Sequence, residues 1–115
     1  MSTREGLQFS GVIPANILPL DDDLQIDERA YRAHLESLVA VDGVTAVTTN
    51  GHAGEVSSLD RGERRRALSI AVETVAGRGP VISGVFAENC RDAAMLARDA
   101  EAEGAGGLLV FPPSV

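Results

Sequence analysis

Short apolar runs alternate with amphipathic stretches of helical period from Gly11 to Phe111, and this alternation constrains the fold more than any other feature. Gly11–Leu20 is an extended apolar segment that Pro19 helps to end. Asp27 is placed to cap a helix, with Ile26 and Tyr31 spaced as a hydrophobic staple. Leu35, Leu38 and Val39 continue its apolar stripe, and Gly43 marks the stop. A second strand, Val44 to Thr48, leads into a glycine loop. The helix after it starts near Asp60, with Glu63 in a capping-box position and Leu68, Ala71, Val72, Val75 and Ala76 on its buried face. Gly77–Pro80 ends it. Val81–Val85 reads as a strand buried on both faces, Asn89 caps a helix carrying Ala93, Leu96, Ala97 and Ala100, and Gly107–Phe111 is a fourth strand. Strands and helices in this order predict parallel, right-handed βαβ units.

Composition excludes several classes. The chain has 115 residues, a length that fits one domain with a modest core. A net charge of -7 and only three Phe, one Tyr and no Trp argue against nucleic-acid stacking surfaces and anionic membranes as partners. No apolar run approaches the ~20 residues that span a bilayer. Met1–Gly6 lacks the pattern of a secretory leader, so a cytoplasmic location is expected. Cys90 is the single cysteine, and no base is evident beside it to make it a nucleophile. His34, on the apolar side of the first helix, is expected to pack rather than to bind metal, since metal sites need three or more convergent donors. Arg61, Arg64, Arg65 and Arg66 are expected to be solvated and paired with Glu63 and other acids.

The loop Gly51-His52-Ala53-Gly54-Glu55 is the strongest pointer to function. It lies where a strand turns toward a helix, the end of such units that houses small-molecule chemistry. His52 reads either as a polar turn residue or as a hydrogen-bond donor or proton carrier at the open end of the sheet. Successive backbone N–H groups in the loop can hold a carboxylate without a cationic side chain.

These residues resemble the G-T-T-G-E loop of the dihydrodipicolinate synthase / N-acetylneuraminate lyase family. The likeness extends through Gly11-Val12 to Leu18-Pro19-Leu20, through Ser58–Arg64 as the L-x-x-x-E-R/H helix start, through Pro80–Val85 as P-V-I-A-G-V, and through Leu108–Pro113. It covers nearly the whole chain in the family's order. The resemblance implies that residues 1–115 form the N-terminal half of a (β/α)₈ barrel, an α/β fold of parallel units. It also implies a class I aldolase or related lyase that joins a lysine to pyruvate or another 2-keto acid as a Schiff base, aided by a tyrosine.

Carried over position by position, the family's two loop threonines fall at His52 and Ala53, and the substrate-binding residues become Gly51, His52 and Ala53. Leu18 stands in place of the threonine of T-P, and Pro113-Ser114 in place of a tyrosine pair. All ten basic residues are arginine, and guanidinium is no Schiff-base nucleophile. No catalytic residue is therefore assigned within the chain. Tyr31 lies on the first helix, away from the strand ends. The implied partners are a 2-keto acid and either further copies of the chain or a complementing C-terminal half. Nothing in the sequence calls for a metal or a nucleotide cofactor. The alternative is a non-catalytic binding or assembly protein built on the same half-barrel.

Overall fold

A computed structural model of the chain describes residues 8–114. The leaderless reading of Met1–Gly6 and the two ends of the 1–115 domain lie outside the described residues. The elements run α1 (Glu28–Val39), β1 (Val47–Thr49), a 3₁₀ turn (Val56–Ser58), α2 (Arg61–Val75), β2 (Val81–Val85), α3 (Cys90–Ala102) and β3 (Gly107–Val110). β1, β2 and β3 form a parallel sheet in that spatial order, with Val47 opposite Val81 and Val85 opposite Val110. The expected first strand is only partly a strand. It touches the β1 side through two isolated parallel bridges, Val12 to Val44 and Ala15 to Thr48. The cause is local: Thr48 N–H reaches Pro14 O at 2.9 Å, but Pro14 has no N–H with which to continue the ladder.

The opening segment and the three strands thus lie side by side in chain order. A doubly wound sheet reverses its strand order, whereas a barrel winds continuously, and the order here is that of a barrel wall. α1 packs on α2, α2 on α3, and α2 and α3 on β2, so the helices form one layer over the sheet. The core lies between the layers: Leu18, Tyr31, Leu35, Val47, Leu68, Ile70, Val75 and Val81 are all buried there. Each such aliphatic side chain contributes about 1.5–3 kcal/mol by leaving water.

The predicted caps are present. Asp27 accepts from Ala30 N–H, Asp60 and Glu63 form a full capping box, and Asn89 accepts from Asp92 N–H. Ile26 packs against the cluster that contains Tyr31. Several boundaries differ from the sequence reading: β1 is Val47–Thr49 rather than Val44 to Thr48, and β3 stops at Val110 rather than Phe111. α1 ends at Val39 with Ala40 as its C-cap, while Gly43, at φ +92°, makes the later turn into Val44. Ala76 is exposed and left-handed at the end of α2, and Ala67 and Ile70 are buried instead.

The arginines also find partners other than Glu63, whose carboxylate is taken by the Asp60 backbone N–H. Arg61 and Arg65 grip Asp99 on α3 at 2.7 and 3.0 Å, Arg65 reaches Glu103 at 2.6 Å, and Arg66 reaches Glu28 at 2.9 Å. Asp99 therefore occupies a buried position in α3 that the apolar pattern did not foresee. The hydrogen bond from Arg61 holds its carboxyl below the usual carboxylate range. Among the described residues, no helix is long and apolar enough to cross a membrane.

Candidate functional site

β1 ends at Thr49, and Asn50 turns the chain through a left-handed conformation at φ 60°. Asn50 Nδ2 donates to Arg64 O at 3.0 Å, which ties the loop to the first turns of α2. The turn then closes on itself: Gly54 N–H and Val56 N–H donate to Gly51 O, and Glu55 N–H donates to His52 O at 2.9 Å. Glu55 is left-handed as well, at φ 59°, and leads into the 3₁₀ turn. These bonds use the N–H groups of residues 54 to 56. Among the described residues, the N–H groups of Gly51, His52 and Ala53 have no acceptor. Gly51 is buried, while His52 and Ala53 are exposed. The three candidate binding residues thus present a run of free donors at the strand end.

His52 does not stand alone. Its ring lies 4.4 Å from that of Phe111 and 5.9 Å from that of Phe86, centroid to centroid, and the two phenylalanines are 6.3 Å apart. Phe86 directly follows β2 and Phe111 directly follows β3, so three successive strand ends each deliver one ring. Both ring nitrogens of His52 lack a hydrogen-bond partner among the described residues. Sequence reasoning took Phe111 for a strand residue and passed over Phe86. The signal was their position one residue past a parallel strand in a chain with three phenylalanines.

Arg64 supports the same face through backbone carbonyls, with the Asp60 charge nearby. Its Nε donates to Leu59 O at 3.1 Å and its Nη1 to Phe86 O at 2.8 Å, and burial pulls its pKa down from the ordinary arginine value. Glu88 accepts from the N–H and Oγ of Ser114, linking the loops after β2 and β3.

The remaining flagged residues lie elsewhere. Tyr31 is fully buried, donates to Ala67 O at 3.0 Å, and has its hydroxyl pushed up to about 12 by burial. Asn16 joins it to Thr49, whose hydroxyl donates to Asn16 Oδ1 at 2.9 Å. His34 is half-buried and accepts from Ile17 N–H at 3.1 Å, a structural bond rather than plain packing. Cys90 is exposed at the start of α3. Among the described residues, no group of three or more His, Cys, Asp or Glu could hold a metal ion.

The chain matches known proteins along almost its whole length. The model of the dihydrodipicolinate synthetase family matches residues 8–114. The chain is 38% identical over 105 residues to the 4-hydroxy-tetrahydrodipicolinate synthase of Agrobacterium fabrum, covering 91% of this chain and 35% of that protein. It is 40% identical over 109 residues to the synthase of Methanopyrus kandleri, covering 94% of this chain and 36% of that protein. The solved structure of the synthase from Methylacidiphilum fumariolicum superposes with a TM-score of 0.89 at 25% identity, over 94% of this chain and 35% of that one. The dihydrodipicolinate synthase from Aquifex aeolicus does so with a TM-score of 0.83 at 32% identity, over 90% and 35%. The chain therefore spans about a third of the length of these relatives. Its parallel strand order, its free loop donors and these matches agree: the chain belongs to the dihydrodipicolinate synthetase family.

Proposed function

We propose that these residues are the substrate-carboxylate side of a lyase or aldolase barrel acting on pyruvate or another 2-keto acid. The observation that carries this reading is the run of unpaired N–H groups at Gly51, His52 and Ala53, set at the strand end where barrel enzymes bind substrate. The loop would orient the keto acid by its carboxylate, and His52 would offer its free imidazole to the proton transfers. In the Schiff-base step an amine attacks the keto carbon and the keto oxygen leaves as water. That amine must come from a lysine outside these 115 residues, because the chain has none. Family kinship supports the lyase class.

The test is to incubate the chain with pyruvate and borohydride and map any adduct by mass spectrometry. The expected outcome is no modification of any internal residue, with at most the terminal amine labelled. Trapping on an internal residue would overturn the assignment of the lysine to another segment.

The exposed apolar side chains Leu108, Leu109 and Val110 on β3, the strand at the open edge of the sheet, favour assembly as a companion role. A complementing barrel segment, or a second copy, would cover them. Sedimentation of the folded chain as a lone monomer at high concentration would rule out the second copy.

A further inference from the structure

The rings of His52, Phe86 and Phe111 are not part of the buried core cluster. A chain with only three phenylalanines nevertheless places two of them at adjacent strand ends, within 6.3 Å of each other and beside the loop histidine. The arrangement is built into the sheet: Gly84 lacks a side chain where a Cβ would lie 3.1 Å from the Phe111 ring. Half-buried rings at a ligand-binding mouth supply flat apolar surface, while a few polar groups fix orientation.

Three polar side chains around this mouth donate within the protein, while the buried Asn50 Oδ1 and the His52 ring nitrogens have no partner among the described residues. Thr49 donates to Asn16, Asn50 to the Arg64 carbonyl, and Ser114 to Glu88. A polyhydroxylated tail would have to compete with those bonds, whereas a planar apolar tail would displace only water from the rings. Phe86 also lines an open groove of about 340 Å³ toward α3, where Leu59, Met95 and Leu96 supply apolar surface and three acids and two arginines supply charge.

We propose that Phe86 and Phe111, with His52, are specificity-determining residues that take the aromatic or planar apolar tail of a 2-keto acid held by its carboxylate on the Gly51–Ala53 loop. The proposal rests on the carboxylate reading of that loop.

The experiment is an NMR titration of the isotope-labelled chain with pyruvate and, separately, with phenylpyruvate, which shares the 2-keto acid head and adds a ring. Phenylpyruvate is expected to bind about tenfold more tightly, the scale of one added aromatic contact. It should shift the ring signals of Phe86 and Phe111, which pyruvate leaves in place, while both acids reach His52. Phe86→Ala should reduce its affinity to that of pyruvate. Phe111→Leu, which keeps apolar volume and removes a ring, should do so if Phe86→Ala does not fold. Equal affinity for the two acids, with loop amides shifted and the Phe86 and Phe111 rings unmoved, overturns the aromatic proposal and leaves the carboxylate reading standing. Loop amides that respond to neither acid overturn both.

Discussion

A Cβ on Gly84 would lie 2.0 Å from the Asn50 carbonyl oxygen, well inside van der Waals contact. The site loop can cross β2 only because that position is bare, so Gly84→Ala should force Asn50 and Phe111 to move. The expected cost is about 2–4 kcal/mol, read as a lower urea midpoint at unchanged m. Gly51→Ala meets no heavy atom nearer than 3.9 Å and should change stability by less than about 1 kcal/mol. A Gly84 variant as stable as the parent would mean that the loop does not rest on the strand. The turn's backbone was legible from Gly51 to Gly54, because glycines flanking two small or polar residues after a strand announce a tight turn. Phe86 and Phe111 were not. An apolar ring beside an apolar strand carries no local sign that it leaves the core, and only the register of β2 against β3 brings the two rings together.

The helices show the same division between what is local and what is not. Asp27, Asp60 and Asn89 were legible as caps because a cap is decided within three residues. Burial of Asp99 depends on Arg61 and Arg65, which are 38 and 34 residues away in the chain, and no periodicity reveals that. This cluster fastens α3 to α2 and has a signature in pH. The Asp99 carboxyl is held low in the folded state, first by its hydrogen bond from Arg61 and then by the charges of Arg61, Arg65 and Arg98. Unfolded Asp titrates at about 3.9. The contribution of Asp99 is therefore complete above that value and is lost as pH falls through the lower folded value. Asp99→Asn should lower stability at pH 7 by about 1–2 kcal/mol, since the arginines are half-exposed and partly screened. It should also flatten the fall in stability below about pH 4. Denaturation midpoints at pH 7 and pH 3 check both, and a variant whose acid sensitivity matches the parent's would detach Asp99 from the clamp.

At the scale of the whole molecule, alternation of strand and helix was enough to give parallel units, but not a complete opening strand. Pro14 interrupts that ladder and leaves two bridges where a continuous pairing was expected. The opening segment, β1, β2 and β3 still follow one another around a single wall, and their C-terminal ends bring the loop donors and the three rings to one face. The central claim is that this face binds a 2-keto acid by its carboxylate while the covalent chemistry belongs to residues outside the chain. The most direct test is a titration of the ¹⁵N-labelled chain with pyruvate, read at every backbone amide. The account predicts saturable shifts centred on Gly51, His52 and Ala53, weakened when Gly51→Pro removes one of the three donors. Saturable shifts centred on another face, or no shift in the loop at concentrations that saturate binding elsewhere, would contradict it.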